Sequence, residues 1–197
     1  VAVFYSGGPL EADLKKASVR ILPLNKRGRW DVLGFLTRLI RIVLYERPDL
    51  LHSYIGNLVT VIAKLFLPSM RIVWGIRCSH IDLSRYDWLF RASYSLSCRL
   101  SRSADLIISN SHAGRRCHVA DGYPKDKIVV IPNGVDTARF SPNPEARERI
   151  RAQWGVDGDE ALIGLVGRLD PMKDHETFLQ AAALLLRERN QVRFVCV

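Results

Sequence analysis

Cysteine is scarce and scattered: Cys78, Cys98, Cys117 and Cys196 are the only four in 197 residues, and none stands in a C-x-x-C pair. That spacing excludes a disulfide framework and a zinc ribbon, and it predicts a reducing, cytoplasmic setting. Long apolar runs are missing too. The nearly uncharged stretch Asn57 to Pro68 is broken by Lys64 and is too short to cross a bilayer. No signal-peptide pattern opens the sequence. Acidic residues are in deficit, 20 against 29 Lys and Arg, for a net charge of +9. The deficit is local, since residues 1–140 carry 21 basic and 11 acidic side chains while 141–197 carry 8 and 9. Such a field favours phosphates, acidic headgroups or nucleic acid, and says nothing about fold. What remains, 48% hydrophobic and 25% charged residues, is a globular composition.

Apolar runs and helical patterns alternate along the chain. Strands are predicted at Val1 to Tyr5, Val19 to Leu24, Leu50 to His52, Arg71 to Gly75, Leu106 to Ser109 and Lys127 to Ile131. Helices are predicted at Glu11 to Lys16, from an Asp31 N-cap through Arg47, at Ile55 to Phe66, from the aromatic stretch after Tyr86 through Ser101, and from Ser111 to about Asp121. Strands separated by helices imply a parallel sheet covered on both faces, a Rossmann-like α/β domain. Pro132-Asn133-Gly134-Val135-Asp136 breaks the rhythm, and Pro142 and Pro144 follow in a composition suited to an exposed connection. The expected domains are therefore 1–140 and 141–197. The second begins a new β-α-β unit, with helices at Glu145 to Trp154 and Asp174 to Glu188 and strands at Ala161 to Val166 and Val192 to Val197. Strand patterns at both chain ends predict that the sequence is a piece of a longer protein.

Chemistry concentrates in Leu165-Val166-Gly167-Arg168-Leu169-Asp170-Pro171-Met172-Lys173-Asp174-His175. A strand ends in Gly167, which lets backbone approach a ligand, and Arg168 and Lys173 follow in a loop leading into a helix. Loops at the carboxyl ends of parallel strands are where α/β sheets bind ligands. Arg168 can grip a phosphate with two donors and Lys173 adds a point charge. Spacing alone leaves an ordinary solvated loop equally open.

Several further strings share one resemblance. Ile108-Ser109-Asn110-Ser111 with Gly114, Gly122-Tyr123-Pro124, Ile128 to Asp136 with Phe140 and Pro142, and Val166-Gly167-Arg168-Leu169 with Lys173-Asp174 closely resemble family 4 of the glycosyltransferases. Val73-Trp74-Gly75-Ile76-Arg77 with Ser79, Asp82 and Tyr86-Asp87-Trp88, and Pro48 to His52, are similar to further segments of its bacterial members. The resemblance implies a GT-B fold, two Rossmann-like domains across a cleft, the first lacking its start and the second truncated after its first β-α-β unit. It implies a retaining transfer from a UDP- or GDP-linked sugar, which is a co-substrate, with no cofactor and no metal. Gly167, Arg168 and Lys173 map onto the donor-diphosphate site, and Arg168 and Lys173 onto catalytic positions. His80 is the candidate for the family's loop His near the reacting sugar, with a surface or capping His as its alternative. The family's Glu-x7-Glu pair and first glycine-rich loop are absent from the sequence, so the piece alone is expected to be inactive.

Other residues read more plainly. Asn133, Gly134 and Asp136 fit a hinge, because Gly permits a tight turn and Asn or Asp bonds local backbone. Ser111 reads as an N-cap, and Asp157-Gly158-Asp159 as a turn in preference to a metal-holding D-x-D element. The expected partners are a nucleotide-sugar, a glycan or lipid-linked acceptor and, on the cytoplasmic face, an anionic membrane touched by Lys15, Lys16, Lys26, Arg27, Arg29, Arg38 and Arg41. A bacterial surface polysaccharide or glycolipid is the expected product. The alternatives are a non-catalytic relative that binds sugar-nucleotide or scaffolds, and a basic nucleic-acid-binding module, for which no recognition motif is present.

Overall fold

The computed structural model describes residues 1–28, 30–54, 56–79 and 81–197. Its chain divides into two compact units, Val1–His80 with Tyr86–Asn133, and Ile81–Arg85 with Gly134–Val197. The break in contacts falls at Asn133 and Gly134, ahead of the sequence boundary after residue 140. Between them Asp136 closes a turn of its own: its Oδ1 accepts from the N–H groups of Ala138 and Arg139, both at 3.1 Å.

The first unit opens with β1 (Ala2–Val3), α1 (Glu11–Lys16) and β2 (Leu22–Pro23), the two strands pairing in parallel. Both are shorter than the sequence suggested. Hydrogen bonds run on past the second strand's end, Leu24 N donating to Val3 O at 2.8 Å and Lys26 N to Phe4 O at 2.9 Å, and Ser18 turns the chain through a left-handed φ of 56° four residues before that strand. Next come α2 (Val32–Glu46), β3 (Leu50–Ser53), α3 (Asn57–Phe66), β4 (Arg71–Ile76), α4 (Trp88–Leu100), β5 (Leu106–Ser109), α5 (His112–Ala120) and β6 (Ile128–Val130). β3 to β6 form one parallel sheet in sequence order, each step crossing through a helix. The expected single parallel sheet is thus two hydrogen-bonded sheets, because β1 and β3 share no ladder.

After Arg71, β4 is apolar because it lies inside the sheet with both faces covered. Ile72, Val73, Trp74 and Ile76 are all buried. Trp74 keeps its one polar atom satisfied by donating from Nε1 to Thr60 Oγ1 of α3 at 2.9 Å. Helix α2 adds Phe35, Leu39 and Val43, spaced four apart on one face. Asp31 does not cap that helix as expected. Its carboxylate instead accepts from Arg27 N at 2.9 Å and pairs with Arg38, which also donates to Leu24 O. Asp105 ties the sheet to α3, since Oδ2 accepts from Lys64 Nζ at 2.7 Å and from Ile72 N at 2.8 Å. Burial raises the affinity of that carboxyl for a proton, but the two donors prevail and hold its pKa below the usual range.

In the second unit α6 (Pro144–Gln153), β7 (Ala161–Leu165), α7 (His175–Glu188) and β8 (Val192–Cys196) build a parallel β-α-β unit in register from Ala161 with Val192 to Leu165 with Cys196. Phe178 of α7 meets Phe194 of β8 edge to face at 5.9 Å. Arg151 is buried, and its Nη2 donates to the carbonyls of Asp157, Gly158 and Glu160. The Asp-Gly-Asp string is therefore a turn folded over a guanidinium.

Candidate functional site

The loop after β7 is held by its own backbone and by its acids. Gly167 N donates to Val197 O at 2.8 Å, continuing the β7–β8 ladder past the strand ends. Asp170 Oδ1 accepts from Met172 N at 2.9 Å, and Asp170 O accepts from Lys173 N at 2.8 Å, making a short turn over Pro171–Lys173. Asp174 enters α7 with a left-handed φ of 52°, and its Oδ2 accepts from Thr177 Oγ1 at 2.9 Å.

Within this turn the stem of Lys173 lies across Gly167. A Cβ at Gly167 would stand 3.3 Å from both Cγ and Cδ of Lys173 and 3.5 Å from Cε. The glycine therefore makes room for the lysine. Arg168 and Lys173 are exposed, and among the described residues neither has a carboxylate within ion-pair reach. The loop acids are turned to local donors, so two cations stand unopposed one residue and six residues beyond Gly167. They precede a 14-residue helix whose amino end carries a partial positive charge. That arrangement suits a diphosphate, with a forked guanidinium for one phosphate and an ammonium for the other.

Beside this loop the second unit holds a cavity of about 340 Å³, lined by Arg85, Leu169, Asp170, Pro171, Asp174, His175 and Glu176. Arg85 Nη1 donates to Pro171 O at 3.1 Å, and its Nε to Asp82 Oδ2 at 3.2 Å. Arg168 and Lys173 do not line the cavity. Arg85 escaped sequence reasoning because nothing local marks a residue of segment 81–85 as a neighbour of one near 171.

His80 lies outside the described residues, as do Arg29 and Ile55. Asn133 and Gly134 flank the division between the units, and Asp136 sits in the turn just after it. Ser111 caps α5, accepting from Gly114 N at 2.9 Å. Among the described residues no group of three His, Cys, Asp or Glu side chains could hold a metal ion, and no helix is long and apolar enough to cross a membrane. Of the basic residues expected to face a membrane, Lys15, Lys16 and Arg38 pair with Glu11, Asp13 and Asp31.

Residues 1–139 match the family model described as Glycosyltransferase Family 4. The chain belongs to glycosyltransferase family 4. Among curated relatives of this family 4 chain, the D-inositol 3-phosphate glycosyltransferase of Kineococcus radiotolerans is 42% identical over 89 residues, 44% of this chain and 20% of that one. The GDP-mannose-dependent alpha-(1-6)-phosphatidylinositol monomannoside mannosyltransferase of Mycolicibacterium smegmatis is 33% identical over 89 residues, 45% of this chain and 23% of that one. Among solved structures, Anabaena HepE in complex with UDP and glucose superposes with a TM-score of 0.74 at 21% identity, over 100% of this chain and 52% of that chain. The fold is thus GT-B, of which the family 4 chain spans about half, and the matched segments span about a fifth of these curated relatives.

Proposed function

We propose that the family 4 chain is part of a retaining glycosyltransferase that moves a sugar from a nucleoside-diphosphate-sugar to an acceptor hydroxyl. The observation that carries this reading is the loop in which Gly167 seats Lys173 and leaves two cations unopposed. As the glycosidic bond breaks, negative charge grows on the departing diphosphate. Arg168 and Lys173 stabilise that charge where it develops, so their binding energy lowers the barrier as well as holding the donor. On this reading the co-substrate is UDP- or GDP-linked and the two side chains supply the positive charge. HepE is described with UDP and glucose, and the M. smegmatis relative is named for GDP-mannose, so both bases belong in the test.

The first unit would bind the acceptor, a glycan or lipid-linked molecule on the cytoplasmic face of a membrane. The outward face of α2 supports a peripheral contact there. Leu33 and Tyr45 are each 81% exposed and Leu44 45% exposed, with exposed Arg41 among them, a mixture suited to an anionic interface. The relatives' names put a phosphate on the acceptor side, as D-inositol 3-phosphate or phosphatidylinositol monomannoside.

Titration calorimetry with UDP and GDP tests the donor site. Arg168→Ala and Lys173→Ala should each weaken the preferred nucleotide by about tenfold or more, the worth of one charge-assisted bond. Wild-type affinity in both variants would remove the diphosphate assignment.

A further inference from the structure

At the carboxyl ends of β3 and β4, three side chains from two strand ends meet. The register sets His52 beside Val73 and Ser53 beside Trp74, which brings the residues just after each strand into one neighbourhood. The rings of His52 and Tyr54 lie 4.6 Å apart at 31°, and the Arg77 guanidinium sits over the Tyr54 ring, 5.2 Å from its centre. Gly75 permits this closeness. A Cβ there would stand 3.0 Å from Ser53 O and 3.6 Å from Tyr54 Cα, which are backbone atoms that cannot step aside.

Arg77 is exposed, and among the described residues no carboxylate pairs with it. Its carbonyl is tied instead, accepting from Asn110 Nδ2 at 3.5 Å, while Asn110 N donates to Ile76 O at 3.2 Å. A guanidinium on a long flexible stem loses entropy when it is fixed, so an aromatic face that holds it without neutralising it leaves a pre-positioned cation. Behind it lies the His52 imidazole. Its Nε2 is buried without a hydrogen-bond partner among the described residues, and burial first, then the nearby Arg77, lowers the ring's pKa.

We propose that Arg77, positioned by Tyr54 and His52, binds a phosphate group carried by the acceptor. The proposal rests on the reading that the first unit takes the acceptor, and it deepens that reading by naming the group recognised. A phosphate fits better than a neutral hydroxyl because a guanidinium has donors only, and its fork matches two phosphate oxygens. The location fits as well, since ligands of parallel sheets gather outside the carboxyl ends of the strands. Tyr54 and His52 are positioning residues here.

The test is calorimetric titration of the protein with D-inositol 3-phosphate and with myo-inositol, together with sedimentation on phosphatidylcholine vesicles with and without one-fifth phosphatidylinositol. UDP and GDP binding is measured in parallel. Arg77→Ala should weaken the soluble phosphate ester or the phosphatidylinositol vesicles by about tenfold, leave myo-inositol and nucleotide binding unchanged, and be partly rescued by Arg77→Lys. Loss confined to the soluble ester assigns the phosphate to a soluble acceptor, and loss confined to the vesicles assigns it to a lipid headgroup. Tyr54→Leu should reproduce a weaker version of the same selective loss. Equal binding of the phosphate ester and myo-inositol by the wild type, together with no vesicle preference, overturns the proposal, as does full phosphate affinity in a folded Arg77→Ala protein. Absence of UDP and GDP binding in the wild type counts against the donor reading alone, because the Arg77 comparison does not use the nucleotide.

Discussion

Replacing Gly167 by Ala separates stability from donor binding at a single position. The φ of Gly167 is not in the left-handed region, so the backbone accepts a side chain without strain. Restricting the unfolded chain would then stabilise the protein by about 0.4–1 kcal/mol. Against that, the new methyl would stand 3.3 Å from two carbons of the Lys173 stem, tighter than ordinary contact, and a flexible stem yields before backbone does. Displacement of the stem moves the ammonium from the place the loop gives it. A charge-assisted bond is worth about 1.5–3 kcal/mol, and losing part of it should weaken UDP or GDP about three- to tenfold. Thermal unfolding without ligand and calorimetry with nucleotide read the two effects apart. The decisive comparison is a double-mutant cycle with Lys173→Ala, in which Gly167→Ala should add nothing, because its effect passes through the lysine. Equal loss in both backgrounds, or undiminished affinity in the single variant, would refute the reasoning.

Other outcomes follow from the packing. Trp74→Phe removes a buried donor to Thr60 and leaves a small void, and should cost about 2–3 kcal/mol in urea unfolding. Ser111→Ala deletes the α5 cap and should cost about 1 kcal/mol by the same measurement. The folded-state pKa of His52 lies below the ordinary value of about 6.5, so the unfolded chain takes up that proton first as pH falls. Stability should therefore be flat above that pH and decline below it until the native imidazole also titrates. His52→Gln should remove this part of the decline, and an unchanged pH profile in the variant would show that His52 ionises freely in the native state.

Local pattern carried much of the fold. Glu11–Lys16 and Leu106–Ser109 have the bounds their sequences suggest, because each is a short periodic run with a clear break on either side. Asp31 misled because its type and place fit an N-cap, whereas Arg38, seven residues on, competes for the same carboxylate. A cap preference is worth about 1 kcal/mol, and a partly buried guanidinium that also satisfies Leu24 O outbids it. The division into a β1–β2 pair and a four-stranded sheet was invisible for a different reason. Alternation of strand and helix specifies parallel pairing but not which neighbours actually share a ladder.

The same limit separates the two candidate sites. The donor loop is contiguous, so one stretch of sequence exposes its glycine, its cations and the helix they precede, and only the seating of Lys173 on Gly167 had to come from structure. The Arg77 cluster is not contiguous. Its members are separated by helix α3 and meet because the β3–β4 register aligns His52 with Val73 and Gly75 leaves the gap that Tyr54 needs. A slip of one residue in that register would turn every side chain of β3 to the opposite face and dissolve the cluster. Trp74, buried and bonded to Thr60, ties β4 to α3, the helix that follows β3, so a slip of β3 against β4 would also strain that buried hydrogen bond.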